Sequence, residues 1–428
     1  MIGLKMNFQQ LDEMELATNV SKISQFATNF KENNLLIGDR LRDSSKLVLA
    51  QNDFPTTRHE AWKYTRLTKL SQLSLKTTEN TSSPVSVPLK SPHVISIVNG
   101  NIVDVPSITG VNIIRLSDCS EKQLELVGKH ISIENDVFHA LNTIYIKDGL
   151  LIEIQENQQV IDAIQLIFET QESNLFCPIR IIIVSKKGSK AHFIQHFSSV
   201  GVGFTLPIFE YFIEQNAHLK VDKIQMENDE SFHIATDQVH QERDSYFKIN
   251  TITLSGKLVR NNLNILVDGE NCETNLNGAF LLQDGQLVDN HTIVDHLKPN
   301  CNSNELYKGV LNGKSIGVFN GKVFVRQNAQ KINAFQSNAN VLLSEDASMN
   351  SKPELEIYAD DVKCSHGSTT GQMDEEAIFY LRTRGISDQS ARALMTQAFI
   401  GDVLNQIDSE EVRSHIESKL IEIHGWTI

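Results

Sequence analysis

The spacing of apolar positions changes character twice along the chain. From residue 8 to 50 it is helical: Phe8, Leu11, Leu16, Val20, Ile23, Phe26 and Phe30 roughly follow a 3.6-residue period with charges between them. Leu41, Leu47 and Leu49 continue the series after a break at Ile37-Gly38-Asp39. Residues 76–92 are rich in Ser, Thr and Pro and read as a linker. Two apolar runs then flank Asn99-Gly100, which predicts a β-hairpin because a tight hairpin turn needs positive φ at both central residues. Residues 121–142 are again helical in pattern.

From about residue 148 to 365 the helical period is gone. Short β-type runs, such as 180–184, 246–254, 263–267, 323–325 and 341–343, follow one another, punctuated by Gly, Asn and Asp. A small residue recurs just before such runs, at Ala217, Ala235, Ser245, Cys272, Cys301, Ser315, Ala329 and Ala347, with several gaps of 14 or near 28. Of 35 Asn residues, 17 lie between Asn261 and Asn350 and none between 351 and 404. In stacked parallel strands Asn suits left-handed corners, and its amide can bond its counterpart one repeat away. A period of roughly 14 to 18 without helices predicts a β-solenoid. The pattern leaves a large antiparallel sandwich with Asn-rich turns open.

Helices return after residue 373. Asp374-Glu375-Glu376 opens one at its positive end, and Gly385 stops it. Ser387 caps the next, with an apolar stripe of Ala391, Leu394, Met395, Ala398, Phe399, Val403, Leu404 and Ile407. A third, over 409–423, carries Val412, Ile416, Leu420 and Ile423. These stripes either pack on the end of the solenoid or dock a partner. The expected organisation is a helical region with linker and hairpin over 1–147, a solenoid over 148–371 and a helical domain over 372–428.

Composition narrows the function class. With 39 Lys+Arg against 53 Asp+Glu the net charge is −14, which argues against nucleic acid as a ligand. No apolar run approaches the ~20 residues of a membrane span, and the first residues lack the basic start of a signal peptide. Cys119, Cys177, Cys272, Cys301 and Cys364 are scattered and never form a CxxC pair, so neither a disulfide framework nor a zinc ribbon is expected. Small buried residues in a cytoplasmic protein are the simpler reading of the first four.

Candidate chemistry is sparse. Gly313-Lys314-Ser315 lacks the upstream Gly of a phosphate-binding loop, because position 308 is Lys, and its flanks are β-type. Asp289, His291 and Asp295 would share one face of a strand as acid/base groups or metal ligands, or simply form a solvated outer face. Cys364 and His366, two apart, would point the same way and offer thiolate plus imidazole to iron or zinc, with further ligands needed from elsewhere. Trp62, within the run 54–65, reads as an anchor for the N-terminal helices.

Several long segments together resemble the SufB/SufD family of iron–sulfur cluster assembly proteins. They include PTTRHEAWKYT at 55–65, LVRNNLNILVDGE at 258–270, VDNHTIVDH at 288–296, LYKGVLNGKSIGVFNGKVFV at 306–325 and KPELEIYADDVKCSHGSTTGQMDEEAIFYLRTRGI at 352–386. Lys298-Pro299-Asn300-Cys301 departs from the Pro-His-Cys associated with relatives, so no metal role carries over to Cys301. The resemblance implies a right-handed parallel β-helix core with N- and C-terminal helical domains. It implies a non-catalytic scaffold subunit of a cytoplasmic complex that pairs with SufB, docks the SufC ATPase through C-terminal helices and assists iron entry. A transient cluster or iron would lie at the SufB interface near His366, and Cys364 with it, with no cofactor held tightly by the isolated chain. Phe379, Arg382, Arg384, Leu394 and Phe399 would belong to the SufC dock. The alternatives are a homodimeric relative working without SufB and a β-helix carbohydrate-active enzyme using Asp289 and Asp295.

Overall fold

The computed structural model describes residues 21–32, 39–79, 85–132 and 136–424. Phe8, Leu11, Leu16 and Val20 of the first predicted helix, and Ile37-Gly38 of its break, lie outside them. Helices α1 (Lys22–Phe26) and α2 (Asp39–Gln51) lie within the predicted helical stretch 8–50, before and after its break, and the short α3 (Thr68–Ser71) follows outside it. In the 121–142 region, α4 (Glu121–Leu124) and α5 (Val137–Tyr145) are separate helices. Asp136 caps α5, accepting hydrogen bonds from the backbone N–H of Phe138 and His139.

Nineteen strands are described. In chain order they are β1 (Val94–Val98), β2 (Asn101–Asp104), β3 (Val111–Arg115), β4 (Leu150–Ile154), β5 (Ile164–Thr170), β6 (Leu175–Ser185), β7 (Lys190–Ser199), β8 (Gly203–Ile213), β9 (His218–Met226) and β10 (Phe232–Gln241). They continue as β11 (Tyr246–Ser255), β12 (Leu258–Val267), β13 (Glu273–Leu282), β14 (Leu287–His296), β15 (Asn302–Leu311), β16 (Ile316–Val325), β17 (Ile332–Leu342), β18 (Ser348–Ile357) and β19 (Val362–Gln372). From β4 on, each strand pairs in parallel with the strand two along in sequence, so even and odd strands form two facing sheets. This is a parallel β-solenoid of about 8 coils, which removes the sandwich alternative. Asn99 and Gly100, both at positive φ, turn the predicted hairpin between β1 and β2, and β1 joins the odd-numbered sheet beside β5.

Each coil contributes two strands, so the 14-residue gap is the strand repeat and the near-28 gap the coil repeat. Asn216, Asp244, Asn271, Asn300 and Lys331 stack at one corner, all with φ between 57° and 63°. The next residue in the first four coils is Ala217, Ser245, Cys272 or Cys301, each buried against the coil before it. Asn300 thus occupies a left-handed corner position that Asn tolerates. Ala235 differs from this scheme: it lies inside β10, in register with Asn261 of β12. The Asn excess also builds side-chain ladders. Asn277 Nδ2 donates to Asn250 Oδ1 (2.9 Å), Asn333 Nδ2 to Asn302 Oδ1 (2.8 Å) and Asn261 Nδ2 to Asn290 Oδ1 (3.0 Å).

The core lies between the sheets, where alternate residues such as Phe247 and Ile249 of β11 face Leu263, Ile265 and Val267 of β12. The outer faces are covered by helices. On the even-numbered sheet Ile23, Phe26, Leu70 and Phe138 pack on Phe204, Leu206, Ile208, Phe232 and Leu258. On the odd-numbered sheet the C-terminal helices do the same: α6 (Glu375–Thr383), α7 (Asp388–Leu404) and α8 (Glu410–His424) follow β19, and residues of α7 and α8 bury Ile224, Ile252, Leu281 and Val310. They therefore cover a flank of the solenoid and not its end. Asp374 and Ser387 cap as expected, and Gly385 stops α6 at φ 89°. The buried residues of α7 are Ala391, Ala393, Thr396, Ile400, Val403 and Leu404; Ala391, Val403 and Leu404 are buried as expected, whereas the middle of the stripe is rotated and leaves Leu394 and Met395 half-buried and Ala398 exposed.

Asn261 also donates to Gln225 Oε1 (3.2 Å) and accepts from Gln225 Nε2 (2.9 Å), all buried. Asn261→Ala should lower stability by about 2–3 kcal/mol, since it strands two buried amides. Asn304→Ala, which removes one exposed 3.4 Å contact, should change it by less than about 0.5 kcal/mol. Denaturant unfolding of the two variants checks this ordering.

Candidate functional site

The last coil differs from the others. Strands β18 and β19 are each paired on one side only, and no further strand adds to either among the described residues. Their side chains are half-buried or exposed along nearly the whole length, whereas the matching strands β10 and β11 are almost entirely buried. Register explains how the predicted pair is presented. Cys364 stands beside Ala334, His366 beside Gln336 and Ser368 beside Asn338, so all three continue columns that line the interior of the preceding coils. Cys364 is half-buried against the core, and burial raises its thiol pKa. His366 is exposed. Among the described residues no three His, Cys, Asp or Glu side chains come together as a metal site, so this end offers two donors and not a finished ligand set.

Beneath His366 the column continues with polar groups that the sequence reading did not single out. Gln336 Nε2 donates to Glu305 Oε2 (2.7 Å), and Thr292 Oγ1 from the facing sheet donates to Glu305 Oε1 (2.6 Å). Glu305 is buried with no ion-pair partner among the described residues, and burial raises its pKa to about 7 despite those two donors. Gln336 Oε1 has no partner among the described residues, which suits a Glu305 that keeps its proton. The spacing of 31 residues between Glu305 and Gln336 is the coil repeat, and this was the available signal. One column over, Ser368 Oγ donates to Ser351 Oγ (2.7 Å), which donates to Asn338 Oδ1 (2.9 Å). Tyr307 fills the space over Gly278, where a Cβ would sit 2.2 Å from the ring.

The other candidates part company. Asp289 is buried between Arg260 (Nη1–Oδ2 2.5 Å), Thr65 (Oγ1–Oδ2 2.5 Å) and His291 (Nε2–Oδ1 2.8 Å). Burial pushes its carboxyl up, but Arg260 and His291 outweigh that and hold it near about 2. Asp295 is bound elsewhere, in a two-pronged pair with Arg326 (2.7 and 2.8 Å). The three do not form one site. Trp62 is the expected anchor: its ring lies 3.9 Å from the Arg260 guanidinium and 5.3 Å from the Phe138 ring, and Arg260 Nη1 donates to Ala61 O (2.8 Å). The Gly313-Lys314-Ser315 turn joins two strands, with no helix after it. Cys301 Sγ stays in the corner column, 3.2 Å from Gly269 O.

The C-terminal candidates divide between two sides. Phe379 is 67% and its neighbour Tyr380 57% exposed on α6, and Arg384 packs over the Tyr380 ring at 5.2 Å. Arg382 is exposed beside Asp388 (3.5 Å), and Leu394 is half-buried. Phe399 faces inward: it packs against the solenoid flank, with Lys308 Nζ 4.7 Å above its ring and bonded to its carbonyl (2.8 Å).

Comparison with known proteins agrees with this architecture. Residues 168–399 match the family model described as SUF system FeS cluster assembly, SufBD core domain, and residues 21–166 match the SufBD protein N-terminal region. The chain belongs to the SufBD family. It is 29% identical over 383 residues to the iron–sulfur cluster assembly protein SufD of Escherichia coli K12, covering 87% of this chain and 90% of that protein. It is 29% identical to a SufBD family protein of Synechocystis, covering 93% and 94% of the two chains. The chloroplastic protein ABCI7 of Arabidopsis thaliana is 28% identical, covering 87% of this chain and 83% of its own. The open coil of this SufBD protein, with Cys364 and His366, falls within the core-domain match.

Glu305 makes stability depend on pH. The unfolded chain ionises this group near 4.5, while the folded chain holds the proton to about 7. Its contribution is therefore fully present below pH 4.5 and lost as pH rises through 7, a change on the order of 3 kcal/mol. Glu305→Gln should raise stability by that order at pH 8 and leave it little changed at pH 4.5. Parallel pH profiles for the two proteins in denaturant melts would contradict the assignment.

Proposed function

We propose that this SufBD protein is a non-catalytic scaffold subunit whose open last coil pairs with SufB and shares the site where a nascent iron–sulfur cluster is assembled as cargo. The observation that carries the reading is the exposed edge strand β19. Edge strands ordinarily carry Pro, charge or a cover that prevents pairing. Strand β18 has Pro353 and the charges Lys352, Glu354 and Glu356, whereas β19 has a single charge, Lys363, and small polar residues around Cys364 and His366. A partner seated on this edge would cover the interior columns and bring the further ligands that His366 and Cys364 lack.

The exposed face of α6 and α7 supports a second contact, the dock for the SufC ATPase. Phe379, Tyr380 and Arg382 stand out from the flank, and Leu394 lies on the same outward side as Ala398. ATP-dependent movement of docked SufC would reach the open coil through α6, which follows β19 after only Met373 and Asp374. Self-pairing through the same edge is the second reading, since the edge itself does not select between SufB and another copy of this chain.

Two experiments test these assignments. Co-expressed with SufB and SufC, His366→Ala should lower the iron and sulfide content of the reconstituted complex several-fold. Equal content in variant and wild type would remove His366 from the site. Phe379→Glu combined with Leu394→Glu should abolish co-purification with SufC while leaving the circular dichroism spectrum and the SufB contact intact; undiminished recovery of SufC would sink the dock.

A further inference from the structure

One groove runs against the charge of the molecule. On the outer face of the even-numbered sheet, Phe232, Leu258, Leu287 and Ile316 stand side by side in register at the starts of β10, β12, β14 and β16. They floor a groove of about 710 Å³. Its rim carries Lys63 and Arg66 from the segment that leads into α3, Lys69 from α3 itself, and Lys257 and Lys314 from the turns before β12 and β16. No Asp or Glu lines it, although acids outnumber bases 53 to 39 in the chain.

The cations are largely uncompensated. Lys257 pairs with Glu230 at 2.8 Å. The other four have no ion-pair partner among the described residues; Lys314 uses only its backbone N–H, donating to Asp284 Oδ1 (2.6 Å), and Lys63 lies over the Tyr64 ring at 5.3 Å. Five cations gathered in a concavity repel one another and focus a positive field into it. The rest of the chain carries the opposite charge, which confines that field to the groove.

We propose that this groove binds a small molecule with two or more phosphate groups attached to a planar or apolar body. The apolar floor takes the body, and the ring of Lys side chains with the Arg66 fork takes the phosphates. A groove of this volume suits a ligand of nucleotide size. A nucleic acid strand is disfavoured because the chain as a whole carries a net charge of −14. The Gly313-Lys314-Ser315 run thus contributes one cation to a site built by tertiary packing, with no phosphate-binding loop. The groove lies on the flank of the solenoid and does not depend on the reading of the open coil.

Calorimetry of the full chain tests this with inorganic pyrophosphate and with ADP as probes. Both should bind at one per chain, ADP the more tightly, and raising salt from 50 to 200 mM should weaken both. Arg66→Glu with Lys69→Glu should weaken binding at least tenfold, as should Lys314→Glu from the opposite wall. Lys122→Glu with Lys187→Glu, exposed charges away from the groove, should leave it unchanged. Absence of binding by both probes at millimolar concentration, or equal weakening in the control variant, overturns the proposal. Pyrophosphate binding with no gain for ADP overturns the role given to the apolar floor.

Discussion

Every part of this protein depends on parallel strands stacking in register, coil upon coil. Backbone hydrogen bonds of one coil are completed only by the coils on either side, so each coil is both supported and support. The same rule aligns side chains into columns one coil apart. A residue type that suits one position is then best matched by a similar type one coil away, which is why Asn277 meets Asn250 and Asn333 meets Asn302. The corner column from Asn216 to Asn300 follows the same logic with backbone in place of side chains, because the left-handed turn is cheap for Asn and costly for most residues.

A stack of two sheets has two outer faces and two ends, and the chain treats them differently. Both faces carry apolar residues and both are covered, one by α1, α3 and α5 and the other by α7 and α8. The first cover is pinned by Arg260 and Asp289, a buried ion pair that also engages Ala61 O and Thr65 Oγ1 of the N-terminal segment, with His291 Nε2 2.8 Å from Asp289 Oδ1. Such a pair adds little net stability, but removing one partner would strand the other charge, so it ties the segment 54–65 to one position. That position also sets the wall from which Lys63 and Arg66 face the basic groove.

The far end of the stack has no cover among the described residues. Its last coil presents interior columns to the outside, and the proposed chemistry falls there because these columns end in donors, with His366 above Gln336 and Glu305 and Ser368 above Asn338. Among the described residues, Gln336 Oε1 and His296 Nδ1 are buried polar atoms of these later coils that have no hydrogen-bond partner. Apolar columns of the earlier coils, such as Phe247 and Ile249, would offer nothing to a metal ion.

Local patterns and long-range packing carried different information. The solenoid, the Asn99-Gly100 hairpin, the caps at Asp374 and Ser387 and the Cys364–His366 pair were legible in the sequence, since each depends on neighbours within a few residues or on a regular repeat. Glu305 was not, because an isolated Glu among polar residues looks solvated until the coil repeat places it under Gln336. The side taken by Phe399 and the shifted stripe of α7 were equally hidden, since an amphipathic helix encodes a buried face but not which of two adjacent rotations meets the sheet. Asp289, His291 and Asp295 share a strand face in sequence, yet the N-terminal segment buries the first and leaves the last to Arg326. The sequence by itself therefore determined the repeat, the left-handed corners, the caps of the C-terminal helices and the shared strand face of Cys364 and His366, because those follow from local backbone preference and period. Only the tertiary structure decided which polar residues are buried, which face each helix covers and where five scattered cations converge, because those depend on contacts between residues far apart in the chain.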